Sequence, residues 1–317
     1  MARCPGKWNC ASASSRRGPD SFWLPGQPFA SVGPGVAHFN GKVTIVTGGA
    51  SGIGRALCEE LARRGAQVLV ADISAEAAAA VAAGIQATGG AASAHAVDVT
   101  DAGQVQGLVQ RAATEHLRLD FMFNNAGISV CGETRDLDLA DWKRVIDINL
   151  MGVIHGTLAA YRVMVRQGSG HIINTSSMAG LTPMPLNAPY SAAKHAVVGL
   201  STTLRHEARA LGVNVSVVCP SGVLTPMLKS TKCVGISSEF FDRFPVRLLD
   251  PDSAARAILR GVERNHEFIL FPFHAHVLWR LYRLYPPLIR LFTSPMLARG
   301  RSLRTSYGGG ALTPSDK

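Results

Sequence analysis

The chain has 317 residues, 47% of them apolar, which is ample material for a large folded core. Its net charge of +10 sits at the two ends: residues 1–40 carry four basic and one acidic side chain, residues 268–317 carry seven and one, and residues 41–267 carry 21 and 20. The nearly neutral body lacks the basic stripe of a nucleic-acid-binding domain, so we expect no nucleic-acid partner.

The first predicted elements are a strand, a glycine turn and a helix. Residues 43–46 are a β-branched run typical of a buried parallel strand, and Gly48, Gly52 and Gly54 follow it at once. Residues 55–64 then have the apolar spacing of an amphipathic helix. Glycines allow a close backbone approach, and a helix N-terminus attracts a pyrophosphate. The turn is either a phosphate site or merely structural.

An acidic side chain follows the second predicted strand, residues 67–71. Asp72 stands where a carboxylate accepts hydrogen bonds from the ribose diol of a bound dinucleotide. The alternative is that Asp72 only caps the next helix. The G-x3-G-x-G spacing indicates one branch of the dinucleotide-binding folds.

Strands and helices alternate from residue 41 to residue 272 without a linker. This order predicts a single-domain α/β fold, a Rossmann-like doubly wound parallel sheet of about seven strands with helices on both faces. Ligands gather at the carboxyl ends of such strands, where Asp72, Asp98, Asn125 and Ser177 stand. Further strands are predicted at 92–97, 119–123, 171–174, 213–218 and 268–271, and helices at 74–88, 100–117, 139–165, 189–211 and 252–264.

A phenol and an ammonium lie four residues apart at Tyr190 and Lys194, and therefore on one helix face. Free tyrosine titrates near pH ~10, and a fixed cation nearby stabilises the phenolate and lowers that pKa. Tyr190 would then be a usable proton acceptor or donor. Taken alone, this spacing is more often a surface pair without a role.

A set of motifs in order resembles the short-chain dehydrogenase/reductase family, over about residues 41–272. The motifs are TGGASGIG at 47–54, Asp72, Asp98-Val99, NNAG at 124–127, Asn149, Ser177, YSAAK at 190–194 and the segment 220–225. Each motif is modestly specific, but their combination at family spacing is strongly so. The resemblance implies an oxidoreductase that is a homodimer or homotetramer.

The resemblance also implies a role for each catalytic residue. Tyr190 passes the proton, Ser177 polarises the substrate oxygen, and Lys194 binds the nicotinamide ribose and depresses the tyrosine pKa. Asn149 holds a water that links Lys194 to solvent, although a buried polar residue satisfied by backbone is the alternative. Ser176 is interpreted as structural.

The expected cofactor is NAD, with NADP as the less favoured alternative. An NADP enzyme of this family would usually show an arginine near the end of the second strand, whereas Ile73 follows Asp72 here. In the segment 220–225, serine stands at position 221 where the family has a glycine. If the turn needs a positive φ at this position, serine would fit its geometry poorly. The expected cofactor-binding residues are Gly48, Ser51, Gly52, Ile53, Gly54, Asp72, Asp98, Val99, Asn125, Tyr190, Lys194, Val223 and Thr225.

The substrate is expected to be a small apolar alcohol or carbonyl compound, bound by segment 178–186 and a lid at 224–247. The first segment offers methionine, leucine and proline side chains and no charge, although Lys229 and Lys232 in the lid weaken this inference. Cys131 is interpreted as a buried thiol rather than a residue at the pocket mouth. The rival hypothesis is a catalytically silent NAD(H)-binding sensor or a membrane-associated scaffold.

Both ends of the chain lie outside the predicted domain. Residues 1–40 are expected to be a disordered extension, and 273–317 a basic amphipathic tail interrupted at Pro286-Pro287. The tail has three interpretations: a peripheral membrane helix, an arm on another subunit, or a cover over the substrate mouth. With six cysteines in no metal-ligand spacing and no transmembrane segment found, we expect no metal site and a cytoplasmic protein, in contact with a membrane only if the first interpretation holds.

Overall fold

The computed structural model describes residues 38–242 and 248–305, and a parallel sheet forms the centre of this part of the chain. Seven strands build it, and two short strands pair separately. The central strands are buried because helices cover both faces. The strands in these residues are β1 (Val43–Thr47), β2 (Gln67–Asp72), β3 (Ala91–Ala96), β4 (Phe121–Asn124), β5 (Val130–Cys131), β6 (Gly170–Thr175), β7 (Val213–Pro220), β8 (Lys232–Cys233) and β9 (Phe268–Phe271).

Helices cover both faces of the sheet. They are α1 (Gly52–Arg63), α2 (Ala75–Ala87), α3 (Ala102–Glu115), α4 (Leu139–Ile146), α5 (Gly152–Gln167), α6 (Ala188–Ala208), α7 (Pro226–Ser230), α8 (Pro251–Glu263), α9 (Phe273–Leu284) and α10 (Arg290–Ser302). Helices α1 and α8 share one apolar cluster, and α3 and α5 share another. The first contains Leu57, Leu61, Ile258 and Val262, and the second Leu108, Val109, Val163 and Met164.

The strand order β3-β2-β1-β4-β6-β7-β9 places a topological switch between β1 and β4. The chain builds outward from β1 to β3 and then returns to the other side of β1. In the register, Ile45 of β1 lies between Leu69 of β2 and Met122 of β4. The crevice beyond the carboxyl ends of β1 and β4 is the place where open α/β sheets bind ligands.

The predicted fold class is confirmed, and each of the seven predicted strands is present within two residues of its expected bounds. The predicted helix 139–165 is different in detail, because a π-helical segment, Asp147–Met151, separates α4 from α5. The sequence analysis missed β5 and β8, since two-residue strands carry no periodicity. Residues 1–37, 243–247 and 306–317 lie outside the described residues, and with them most of the expected N-terminal extension, part of the expected lid and the end of the expected tail. At the end of the expected extension 1–40, Phe39 is buried in the core.

Both C-terminal helices pack on the rest of the fold. In α9, Ala275 is fully buried in the apolar cluster that contains Leu270, and Trp279 packs against it. In α10, a Cβ at Gly300 would lie 2.3 Å from Cδ1 of Leu186. The expected break at Pro286-Pro287 is present as a 3-10 turn, Pro286–Ile289.

One continuous helical stretch of the described residues, Leu139–Gln167, is long and apolar enough to cross a membrane. Its mean hydropathy is 1.3 in the relevant window, and half of that window is buried inside the fold. The stretch is the crossover between β4 and β6, and a core helix of a folded domain passes the same test.

Candidate active site

The turn after β1 depends on the absence of side chains at two glycines. Gly48 has φ +63°, and a Cβ there would lie 2.8 Å from Cα of Ala126. A Cβ at Gly54 would lie 1.9 Å from the carbonyl oxygen of Gly48, so only hydrogen fits. This contact brings the first turn of α1 against the end of β1 and the segment after β4. Glycine is therefore required by geometry at both positions.

The N-terminus of α1 is open to a ligand. Ser51 is the N-cap residue, yet its side chain makes no capping hydrogen bond. Gly52 follows with φ +52°, and a Cβ there would lie 3.2 Å from Cβ of Thr225. Ile53 is half-buried against the neighbouring core. Free N–H groups at a helix start, framed by glycine and threonine, suit a phosphate group.

Asp72 at the end of β2 has two structural hydrogen bonds. Its Oδ2 accepts from the Ala50 N–H at 3.1 Å, and its Oδ1 accepts from the Ser74 N–H at 3.1 Å. Ser74 is itself the N-cap of α2, since its hydroxyl accepts from the Ala77 N–H at 3.2 Å. Asp72 therefore supports the glycine turn as well as the start of α2, and each ionised oxygen retains acceptor capacity for a ligand.

Three further expected residues follow β3 and β4. Asp98 accepts from the backbone N–H and the hydroxyl of Thr100, at 2.9 and 2.8 Å. Val99 is buried beside Gly152, where a Cβ would approach Cγ2 of Val99 to 2.8 Å. Asn125 donates from Nδ2 to the carbonyl oxygens of Thr47, at 3.2 Å, and of Gly48, at 3.4 Å. This last pair of hydrogen bonds connects the ends of β4 and β1 at the switch point.

The segment after β7 forms the other side of the crevice. Val223 is buried and pairs with Leu249 in an isolated parallel bridge, and Thr225 is the N-cap of α7. Ser221 donates its N–H to the Phe271 carbonyl at 2.9 Å and is not among the residues with positive φ. Serine is accommodated here without strain.

Helix α6 supplies Tyr190 and Lys194 from one face. The Lys194 ammonium is buried, donates to the Thr175 carbonyl at 2.8 Å, and lies 5.5 Å from the centroid of the Tyr190 ring. Ser177 follows β6, and its Oγ accepts from the Ala179 N–H at 3.1 Å. The sheet end at β6 and the first turns of α6 thus bring the three side chains together.

Burial shifts the pKa values of both Lys194 and Tyr190. It lowers the pKa of Lys194 to about 8, because the ammonium has lost most of its hydration. It also raises the pKa of Tyr190, while a hydrogen bond with Ser177 acts in the opposite direction. The net shift of the tyrosine pKa is therefore upward, because burial outweighs the opposing effects, and the lowering expected from Lys194 stays a prediction. The hydrogen bond with Ser177 is therefore the contact that opposes the rise in the tyrosine pKa.

Asn149 lies fully buried in the π-helical segment and is satisfied by backbone. Its Oδ1 accepts from the Ile128 N–H and its Nδ2 donates to the Ile128 carbonyl, both at 2.8 Å. A Cβ at Gly127 would lie 3.1 Å from Asn149 Oδ1 and 3.6 Å from Lys194 Nζ. The amide therefore fixes the backbone beside the ammonium, and the glycine leaves space between them.

The sequence analysis missed a buried polar network beneath the site. Asn124 donates to Asn174 at 2.8 Å and to Thr157 at 3.2 Å, and Asn174 donates to Ser201 at 3.1 Å. The interpretation of Ser176 as structural agrees with its contact, since its hydroxyl donates to the Lys194 carbonyl at 2.8 Å. The sequence feature that could have predicted this network is the asparagine near the end of each of two buried strands, β4 and β6.

Much of the expected substrate segment is buried. Met178 and Leu181 lie in one apolar cluster, and Leu186 lies in another with Ile236. Pro183 is exposed and Met184 half-buried, so these two remain available to a ligand. Cys131 is fully buried beside Leu186, and burial raises its pKa to about 12. No group of three His, Cys, Asp or Glu side chains in the described residues could hold a metal.

Comparison with known proteins identifies the family. The family model described as short chain dehydrogenase matches residues 42–233. The chain belongs to the short-chain dehydrogenase family. It is 33% identical over 272 residues to the Probable oxidoreductase EphD of Mycobacterium tuberculosis, covering 82% of this chain and 46% of that relative. This chain thus spans about half the length of the first curated relatives that it matches.

Two further comparisons concern a named dehydrogenase and a solved structure that contains NAD. It is 40% identical over 194 residues to the mitochondrial Borneol dehydrogenase of Lavandula x intermedia, covering 61% of this chain and 73% of that protein. A solved short-chain dehydrogenase from Burkholderia phymatum, in complex with NAD, superposes with a TM-score of 0.70 at 30% identity. That match covers 79% of this chain and 95% of the solved one.

Replacing Gly54 by alanine tests the close approach in the glycine turn. The new methyl group must displace the Gly48 carbonyl, so we expect the free energy of unfolding to fall by about 1–3 kcal/mol and NADH binding to weaken strongly. Urea denaturation and NADH fluorescence titration measure the two effects.

The matched control is Gly84→Ala in α2, where a Cβ meets nothing within 4 Å. This helix-interior substitution is expected to raise the free energy of unfolding by about 0.5–1 kcal/mol and to leave NADH binding unchanged. Equal effects of the two substitutions would contradict the steric argument.

Proposed function

We propose that the protein transfers a hydride between NAD(H) and an apolar secondary alcohol or ketone, with Tyr190 as the general acid and base. The observation that carries this proposal is the grouping of Tyr190, Ser177 and buried Lys194 beside the crevice that opens at the glycine turn. A protein that only binds a nucleotide needs the turn but has no use for a serine–tyrosine pair of this kind.

The residues of the crevice fit a nicotinamide dinucleotide. The first turn of α1 would hold the pyrophosphate, Asp72 the adenosine ribose, Asp98 and Val99 the adenine edge, and Asn125 the ribose side at the switch point. Val223 and Thr225 would contact the nicotinamide amide, and Lys194 its ribose. When bound, the nicotinamide ring donates or accepts the hydride, and the protein supplies position and electrostatic field.

The protein's own part in the reaction is to hold and move a proton. Ser177 lies within hydrogen-bonding reach of Tyr190, so one substrate oxygen could contact both hydroxyl groups. Reduction of a ketone takes the Tyr190 proton onto that oxygen, and oxidation of an alcohol returns it. With a pKa of about 8, Lys194 is still mainly cationic at pH 7, and its charge stabilises a transient phenolate.

Asn149 acts on this proton path through the backbone. Its amide accepts one hydrogen bond from Ile128 and donates one to it, so Asn149 fixes the backbone at that residue and acts as a positioning residue. The space that Gly127 leaves beside Lys194 Nζ has polar walls. A water there would be held by backbone carbonyls that Asn149 fixes, and it would relay the proton between Lys194 and solvent.

The preference for NAD over NADP follows from charge at the end of β2. The Asp72 carboxylate is fixed by the Ala50 and Ser74 N–H groups, so it cannot turn away from a ribose 2′-phosphate. Ile73 is exposed and offers no positive charge to such a phosphate. Two negative groups in contact without a cation disfavour NADP.

The apolar substrate is proposed from the side chains rather than from the relatives. Matched relatives of comparable identity are named for alcohols as different as a terpene alcohol and a small polyol. In this chain, Pro183 and Met184 are the accessible members of a segment without charge, and Lys232 is drawn away to Asp141 at 2.6 Å. This arrangement favours a hydrocarbon-like substrate.

Replacing Tyr190 by phenylalanine is expected to preserve NADH binding and to lower turnover by about 10²–10⁴-fold, the range for removal of a general acid. The measurement is NADH fluorescence titration together with steady-state reduction of a panel of aliphatic, alicyclic and aromatic ketones. Tyr282→Phe in α9 is the matched control and should keep parent activity. A catalytically silent sensor would show no turnover in the parent either, and equal rates in parent and Tyr190→Phe would remove the role of Tyr190.

Replacing Asp72 by alanine is expected to weaken NADH binding by roughly tenfold or more, the loss of a charge-assisted hydrogen bond, while NADPH binding is unchanged or improved. Paired titrations with NADH and NADPH measure the ratio. Ser74→Ala is the matched control, because it removes the cap of α2 without touching the ribose site. If Ser74→Ala changes the ratio as much as Asp72→Ala does, the effect belongs to the cap.

We also propose a homo-oligomer whose subunits meet along α5 and α6. An open apolar groove runs between these helices, lined by Leu158 and Leu200 among others, and Leu158 is half exposed. Leu158→Glu should lower the mass of the particle measured by light scattering. An unchanged mass would place the subunit contact elsewhere.

A further inference from the structure

Exposed apolar side chains are concentrated in one short stretch near the C-terminus. In the described part of the chain, fifteen large apolar side chains are exposed, and eight of them lie within residues 273–292. We call these eight the C-terminal apolar surface: Phe273, Val277, Leu281, Leu284, Tyr285, Leu288, Leu291 and Phe292. Large exposed apolar patches mark interaction sites, whereas scattered single residues do not.

The spacing within α9 shows that this exposure is organised. Phe273, Val277, Leu281 and Leu284 recur at intervals of four, four and three residues and therefore share one helix face. The opposite face packs on the fold through Ala275 and its neighbours. Since the inner face already has its partner, the outer apolar face needs another.

Positive charge accompanies this surface without any compensating acid. Residues 268–305 contain no Asp or Glu, and Arg280, Arg283 and Arg290 lie among the exposed apolar side chains. No carboxylate of the described residues pairs with these three arginines. Arg301, nearer the end of α10, behaves differently, because its guanidinium pairs with Glu133 at 3.1 Å.

We propose that the C-terminal apolar surface binds the face of an anionic lipid bilayer. A helix with one apolar face and arginines beside it lies in the plane of a membrane, with the apolar side chains below the headgroups and the cations among them. Each arginine near such a surface contributes a roughly fivefold gain in binding, the factor that corresponds to about 1 kcal/mol. The bilayer supplies both the apolar and the anionic partner that this surface lacks.

A second copy of the chain fits the surface less well. A symmetric contact places the same patch on both subunits, so Arg280 and Arg283 of one copy would approach their equivalents in the other. No acidic residue of the region is available to separate these charges. The groove between α5 and α6 carries no such excess of positive charge.

The test uses the full-length protein and co-sedimentation with vesicles of phosphatidylcholine alone or mixed with phosphatidylserine. The parent should bind the mixed vesicles, release at high salt, and bind phosphatidylcholine weakly. Leu284→Glu should weaken binding at least about tenfold, since it replaces an inserted leucine with a charge. Arg280→Glu should weaken it by about fivefold for each unit of charge changed.

Matched controls come from the same chain. Leu117→Glu changes a leucine that is 87% exposed, against 81% for Leu284, and that lies far from Leu284 in the sequence, two residues after the end of α3. Arg166→Glu changes an exposed arginine of α5. Both controls should bind vesicles as the parent does, and a thermal melt of each variant confirms folding.

Three results would overturn the proposal. The first is a parent that does not sediment with mixed vesicles. The second is equal loss of binding in Leu284→Glu and Leu117→Glu. The third is a smaller particle mass for Leu284→Glu by light scattering, with vesicle binding unaffected, which would assign the surface to a second copy of the chain.

Discussion

The site depends on one steric constraint, the approach of α1 to the end of β1. Gly54 lies so close to the Gly48 carbonyl that only hydrogen fits between them. This approach directs the N-terminus of α1 into the crevice at the switch point, where Asn125 and Asp72 hold the two ends of the turn by hydrogen bonds to its backbone. A larger residue at either glycine would move the helix start, and the proposed phosphate site would be lost with it.

The second constraint is the burial of Lys194. An ammonium without water is costly, and one carbonyl, that of Thr175, compensates only part of the lost hydration, which explains the lowered pKa. A cation held in this state responds strongly to any negative charge that develops nearby, because little solvent screens it. The cost of burial is thus what makes the charge effective beside Tyr190, and the packed turn of Asn149 against Ile128 keeps the surroundings fixed.

Much of the fold can be predicted from the sequence because the secondary structure depends on residues that are close together in the chain. Strand-like runs alternate along the chain with helix-like runs of crossover length, so the order of strands and helices can be predicted from the chain alone. The position of Tyr190 relative to Lys194 is also local, since four residues on a helix fix it. The pKa of Tyr190 is not local: the sequence suggested a lowering by Lys194, whereas burial by distant segments raises it. The π-helical segment at Asn149 likewise depends on Ile128, twenty-one residues away.

In the C-terminal region, residues of the same types are packed on the fold in one place and exposed in another, which the composition does not show. Both of its helices are rich in arginine and leucine, and the sequence alone leaves three interpretations open for the whole stretch. In the structure, the end of α10 and the outer face of α9 have different surroundings. Gly300 packs against Leu186 of the expected substrate segment, and Arg301 pairs with Glu133, so the end of α10 contributes to the wall beside the site. Around α9 the same residue types face outward, and no carboxylate of the described chain pairs with Arg280 or Arg283, although Arg283 stacks on the ring of Trp279. The same residue types are therefore structural at the end of α10 and available for binding around α9 and the start of α10, and only the packing of each face distinguishes them.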